Sequence, residues 1–246
     1  MIAQVTSAQH RQWYLAACAG KPYFSCVLPL HLQLFGKTGS FFAGPGLAID
    51  ANGSGAIAAG EADPEELASF LQFIGKHRLL TDGTAPAGWR PGRTLHLFVL
   101  EAGGALPTPP LPPLLPTLTL NDQPSPGQVA DLLFAQRSER RDGFYSELCT
   151  KRNHGKARVW ALEQNGAIAC TAGAYALHDG QAYLACIETV PALRGQQLGG
   201  WLTAHAANAL AADGWRVLLL CEDRLCGFYT RLGFAHGGTL CEYTDL

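Results

Sequence analysis

Between Pro107 and Pro116 the chain carries six prolines in ten positions: Pro107, Pro109, Pro110, Pro112, Pro113 and Pro116. Each fixes φ at about −65° and removes a backbone donor, so the stretch can be neither helix nor central strand. With Gly103 and Gly104 ahead of it, the segment 101–116 reads as an extended, semi-rigid connector. Proline runs also serve as ligands for SH3-type domains, but linkers are the commoner use. The chain is therefore expected to fold in two pieces, residues 1–100 and residues 117–246.

In the second piece Thr117 to Leu120 reads as a short strand. Ser125-Pro126 opens a helix with Val129, Leu132 and Leu133 on one face, and Asp142 to Asn153 forms another, closed by Gly155. Strands are expected over 158–162, 167–177 and 182–190, because the dipeptides Asn165-Gly166 and Asp179-Gly180 between them are hairpin turns. A helix over 197–212, ended by Gly214, leads to a buried strand, Val217 to Cys221. A short helix from Leu225 to Leu232, stopped by Gly233, and one or two strands over 234–243 complete it. The first piece starts with a helix capped by Ser7 and running to about Ala19. Leu28, Leu30, Leu32 and Leu34 alternate with period two, which predicts a strand. Leu47 to Ile49 and Ala56 to Ala58 flank the hairpin signal Asp50-Ala51-Asn52-Gly53. Asp63-Pro64-Glu65-Glu66 is a helix start, with Leu67, Phe70, Leu71 and Ile74 as the buried stripe, and Leu95 to Leu100 is a further strand. The fold class is α/β (α+β): a mixed, mainly antiparallel twisted sheet flanked by helices.

Two stretches carry chemistry. In the first, Ile187-Glu188-Thr189-Val190-Pro191 ends a strand, and Arg194-Gly195-Gln196-Gln197-Leu198-Gly199-Gly200 leads through a glycine-containing loop into a helix. Backbone N–H groups at a helix start, with the positive end of the helix dipole, make an anion site. Gly195 and Gly199 allow close approach of a ligand, and Arg194 adds positive charge. The second stretch is Phe228-Tyr229-Thr230-Arg231-Leu232-Gly233-Phe234. Together, over residues 117–246, these stretches resemble the GNAT superfamily of acyl-CoA-dependent N-acetyltransferases. The first is similar to the family's pyrophosphate loop, R/Q-x-x-G-x-G/A, with Arg194 and Gly199 in place and Gln197 standing where the family has its middle glycine. The second reproduces the family's F-Y-x-x-L-G-F signature.

That resemblance implies a GNAT fold and acetyl-CoA as cosubstrate. Val190 would pair its backbone with the pantetheine arm, and Arg194, Gly195, Gln196, Gln197, Leu198, Gly199 and Gly200 would surround the pyrophosphate. Tyr229 would be the general acid for the departing thiolate, and a backbone N–H near Ile187 would stabilise the oxyanion. The chemistry agrees: a thiol of pKa about 8.5 leaves as an anion, and a phenol of pKa about 10 is protonated at neutral pH. Glu188 is the candidate base for the attacking amine. The basic cluster Arg137, Arg140, Arg141, Lys151, Arg152, Lys156 and Arg158 is offset by Glu139, Asp142 and Glu147. It reads as a solvated helical face, or as the border of an acceptor pocket walled by Phe144 and Tyr145.

The order of elements in the first piece echoes the second, so residues 1–100 are expected to be a degenerate GNAT-like copy. In place of a phosphate loop that piece carries Glu61, Asp63, Glu65 and Glu66. Carboxylates at a helix start repel a pyrophosphate, so one CoA site is expected.

Composition removes other classes. Apolar residues are 48% and charged residues 15%, which excludes a disordered solvating chain. The net charge of −2 offers no field for nucleic acid, and no apolar run approaches the roughly 20 residues of a membrane span. Met1 to Gln12 lacks the layout of a signal peptide. The eight cysteines form no C-x-x-C pair, so they are expected to be reduced thiols in a cytoplasmic protein. His178, His205 and His236 share no ligand spacing, so no metal is expected. The resulting expectation is an N-acetyltransferase acting on a small amine or peptide, as monomer or homodimer. The alternative is a non-catalytic acyl-CoA-binding regulator.

Overall fold

The computed structural model describes residues 1–245. They divide into two compact units. The first comprises Met1–Phe98, Leu220–Cys226 and the chain from His236 onward; the second comprises Val99–Leu219 and Gly227–Ala235.

In the first unit, β1 (Ala3–Gln4) leads to α1 (Ala8–Cys18), whose start is fixed by the Ser7 hydroxyl accepting from the His10 N–H at 3.1 Å. Next comes α2 (Pro22–Phe35). The alternating leucines at 28–34 therefore lie in a helix and not in the strand that their period predicts. The reason is burial around most of the helix: Tyr23, Phe24, Cys26, Val27, Leu28, Leu30 and Leu32 are all buried. A helix covered on most sides shows no 3.6-residue stripe, and Pro22 at its first turn starts it. Strands β2 (Phe41–Gly44), β3 (Leu47–Asp50) and β4 (Ala56–Gly60) form an antiparallel meander, with Asp50 opposite Ile57 across the expected hairpin. Helix α3 (Pro64–Phe73) then crosses over to β5 (Arg78–Thr81), parallel to β4. Leu47, Ile49, Leu67, Leu71 and Leu79 form the core between α3 and these strands. Beyond β5 the strand order is β12 (Ala235–Thr244), then β6 (Arg90–Leu100). The chain's last strand thus sits in the first unit, antiparallel to β5, with Cys241 opposite Thr81.

The second unit contains β7 (Thr119–Asn121), α4 (Pro126–Leu133), α5 (Ser138–Asn153), β8 (Arg158–Gln164), β9 (Ala167–His178), β10 (Gln181–Thr189), α6 (Leu198–Ala212), most of β11 (Arg216–Glu222) and the end of α7 (Asp223–Leu232). The order is β7-β8-β9-β10-β11. Both hairpin dipeptides have positive φ at each residue: 52° and 79° at Asn165-Gly166, 47° and 69° at Asp179-Gly180. That is the geometry a two-residue turn of matching twist requires. Strands β10 and β11 are parallel and joined through α6, as a parallel pair needs a crossover helix. The start of the Pro-rich segment is docked on α6. The Asn208 side chain accepts from the Leu106 N–H at 2.7 Å and donates to the Leu106 carbonyl at 3.1 Å. Among the described residues no helix is long and apolar enough to cross a membrane.

Candidate active site

Strand β10 pairs with β11 only from Gln181 to Tyr183, opposite Arg216 to Leu218. On its other edge it pairs with β9 through an irregularity: Ala185 lies opposite Gly173, and the next pair is Glu188 with Thr171. Cys186 and Ile187 thus oppose the single residue Ala172, which makes a bulge, and Cys186 takes a left-handed φ of 53°. A bulge breaks the ladder and re-aims the residues in it.

Past Val190 the chain makes a tight turn, Pro191–Leu193, and reaches Arg194. The Arg194 guanidinium donates to the Glu188 carboxylate at 2.8 Å and to the Thr189 carbonyl at 3.2 Å. The ion pair brings two predicted site residues together at the end of β10, and both are partly solvent-exposed. Gly195 has φ +78° and Gln197 has φ +63°. Gln197 therefore adopts the left-handed conformation for which glycine is the usual residue, so the loop keeps its course without a glycine there.

Helix α6 begins bare. Gln197 supplies no side-chain cap, and no acidic residue lies in the first turn. The first N–H groups of a helix have no intrahelical partner, so this end offers donors and a positive dipole. Its first turn is packed between the two motifs. A Cβ on Gly199 would lie 3.5 Å from Thr189 Oγ1 and 3.8 Å from Ile187 Cγ2, and one on Gly200 would lie 3.5 Å from the Phe228 ring. A cavity of about 340 Å³ opens beside it, lined by Gln197, Gly200, Trp201, Phe228, Arg231 and the Pro107–Pro110 segment. That proline wall was not legible in the sequence, where the segment reads as a connector.

Tyr229 is buried, with 6% of its surface exposed. Its ring meets Phe228 edge-on at 5.0 Å and Phe234 at 6.0 Å. The nearby thiols are neutral at pH 7: burial pushes Cys186 up to about 12 and Cys170 up to about 11. Cys170 also accepts from the Thr189 hydroxyl at 3.2 Å. Neither thiol is poised as a nucleophile, since the thiolate is the attacking form.

The basic cluster of the second unit is largely committed to structure. Arg141 pairs with Asp131 and Asp142, Lys151 with Glu147, and Arg158 with Asp213; Arg152 donates to the Pro124 carbonyl. Phe144 packs into the core against Phe134 and Tyr175, whereas Tyr145 is exposed.

Residues 155–236 match the family model described as an acetyltransferase (GNAT) domain. No curated protein matches the chain. Among solved structures, a GCN5-related N-acetyltransferase from Kribbella flavida is similar, with a TM-score of 0.63 at 18% identity over 89% of this chain and 94% of that one. A GCN5-related N-acetyltransferase from Sphaerobacter thermophilus has a TM-score of 0.62 at 12% identity, over 99% and 94%. A tandem GNAT protein from the clavulanic acid biosynthesis pathway has a TM-score of 0.56 at 14% identity, over 84% and 78%. At these identities the likeness concerns the fold, and it extends through both halves of the chain.

Proposed function

We propose that this chain, whose residues 155–236 match the model of a GNAT acetyltransferase domain, transfers the acetyl group of acetyl-CoA to a primary amine of a small molecule or peptide. The observation that carries the reading is the uncapped start of α6, with Gln197 left-handed and no acidic residue in the first turn. The N–H groups from Arg194 to Gly199 would hold the pyrophosphate, with Gln196, Leu198 and Gly200 shaping the same turn. The Val190 backbone would align the pantetheine arm along the edge of β10 that β11 leaves after Tyr183. When bound, acetyl-CoA supplies an activated thioester. Backbone N–H groups at the bulge of Cys186 and Ile187 would stabilise the charge that develops on the thioester oxygen, and such preorganised donors are worth several kcal/mol, about 2.7–4 for one.

Tyr229 would donate its phenolic proton to the departing thiolate. Glu188 would take the amine's proton directly or through water, oriented by its ion pair with Arg194. Direct transfer is favoured over an acyl-cysteine route because Cys170 and Cys186 stay protonated at pH 7. A second reading, a non-catalytic acyl-CoA-binding regulator, is favoured by the burial of Tyr229. Thiol release from acetyl-CoA with a panel of amines separates the two. In the enzyme, Tyr229→Phe should lower kcat by about 10²–10⁴-fold with acetyl-CoA affinity unchanged. Full activity in that variant would reduce Tyr229 to packing. Binding of acetyl-CoA with no amine-dependent thiol release would establish the regulator.

A further inference from the structure

In the first unit, three side chains of different donor chemistry converge. His96 sits on β6, and Asp223 and Cys226 lie three residues apart in the first turn of α7, a spacing that puts both on one helix face. One donor atom from each lies within 4.8 Å of the other two. His96 Nε2 is hydrogen-bonded to Asp223 Oδ1, and His96 Nδ1 lies 3.2 Å from Nε2 of His236 on β12. The His236 ring is set edge-on against Phe98 at 5.6 Å. Sequence spacing links only Asp223 and Cys226; β6 and β12 bring His96 and His236 to them.

We propose that His96, Asp223 and Cys226 form a binding site for a zinc-class divalent metal ion, with a fourth position open to solvent. Bonds of about 2.0–2.3 Å in a tetrahedral site hold ligand atoms roughly 3.5 Å apart. His96 Nε2 and Asp223 Oδ1, now hydrogen-bonded, have to part to that spacing, while donor atoms up to 4.8 Å apart close by about 1 Å; rotation of the exposed Asp223 side chain supplies the first movement. One imidazole, one carboxylate and one thiolate suit zinc, whereas magnesium and calcium take oxygen donors. The thiolate and carboxylate together balance the charge of a divalent ion. His96 is oriented by its second ring nitrogen against His236, as metal-bound imidazoles are by a partner on the far nitrogen.

An entry route exists. Asp223 lines an open cavity of about 340 Å³ with Gly92, Arg93, Thr94, Glu222 and Arg224. The two arginines there do not repel a cation freely, because Arg93 is paired with Glu222 and Glu242, and Arg224 with Glu222.

The test uses the untagged, reduced, full-length chain stripped with a chelator. Cobalt(II) should give a thiolate-to-metal charge-transfer absorption, and calorimetry should find one Zn²⁺ per chain. Cys226→Ser should abolish the absorption. His96→Gln should weaken Zn²⁺ binding by at least about 100-fold, and His236→Gln by about 10–100-fold, as for a partner that orients a ligand. Asp223→Asn alters a side chain that is 80% exposed, so it keeps the fold and should still lower affinity. No cobalt absorption in the native chain, absorption that survives Cys226→Ser, or Zn²⁺ affinity unchanged in Asp223→Asn would each overturn the site. None of these readouts involves acetyl-CoA, so their failure would leave the acetyltransferase reading standing.

Discussion

Both halves of the chain contain a strand that turns into a helix at the place where a nucleotide-type anion could sit, and the two turns treat that place in opposite ways. After β4, Asp63 caps α3 with its own carboxylate, accepting from the N–H groups of Glu65 and Glu66 at 3.1 and 2.9 Å. Glu66 in turn accepts from the Ile2 N–H and pairs with the chain's amino terminus, and Glu61 accepts from the Thr84 hydroxyl. After β10, the start of α6 has neither side-chain cap nor acid, and its turn contains Arg194. One helix start is plugged from within; the other is left for a ligand. An anion-binding turn is thus made as much by what the chain withholds as by the glycines it supplies.

The largest expected effect comes from converting the second turn into the first. Gly199→Glu places a carboxylate at the bare start of α6. There is room for a Cβ, since its nearest neighbour would be 3.5 Å away, so the fold should survive. Acetyl-CoA affinity should fall by about 10³-fold or more, equivalent to roughly 4 kcal/mol. In the native chain calorimetry should find one acetyl-CoA per chain. A stoichiometry of two would break the comparison by showing that the carboxylate-filled turn also binds.

The elements that set up this contrast were readable to different degrees. Asp63-Pro64, Ser7, Asn165-Gly166 and Asp179-Gly180 announced themselves because caps and turns are local: a side chain or a positive φ within a few residues decides them. The family signature at 228–234 and the loop at 194–199 were legible for the same reason. The helix 22–35 was not, because burial on most sides erased its periodicity, and β2 and β5 were too short to stand out. The bulge at Cys186 and Ile187 left no mark in composition; only the register of β10 against β9 reveals it. The position of β12 in the first unit and the meeting of His96 with Asp223, 127 residues apart, are products of topology that no local pattern encodes.

A middle-sized effect tests whether the first half uses its carboxylates for its own structure more generally. Asp50 is buried, lies 2.7 Å from His31 Nδ1, and accepts from the Asn52 N–H and side-chain amide at 3.0 and 2.7 Å. Burial alone would raise its pKa. The hydrogen bond and charge of His31, with the bonds from Asn52, outweigh it and hold the carboxyl below its usual range. A carboxyl depressed in the folded state contributes stability above the unfolded pKa of about 3.9 and loses it as pH falls through the folded value. Asp50→Asn should therefore cost about 1.5–3 kcal/mol at pH 7, the range for hydrogen bonds to a charged group. The gap between variant and native chain should close in strongly acidic solution. A gap independent of pH would mean that packing, and not the carboxylate, is what the variant loses.

The smallest effect is the most direct reading of the plug itself. Asp63→Ala removes the cap from α3 and frees two N–H groups. Losing such a cap typically costs about 1 kcal/mol, which for a chain of this size is a fall in Tm of roughly 2–4 °C. The freed helix start would still face Glu61, Glu65 and Glu66, which disfavour an anion there. Acetyl-CoA stoichiometry should therefore stay at one, and its affinity at the α6 site should be unchanged. A second acetyl-CoA bound by Asp63→Ala would show that a single carboxylate separates the two turns. No loss of Tm would show that the Asp63 bonds hold nothing that water does not replace.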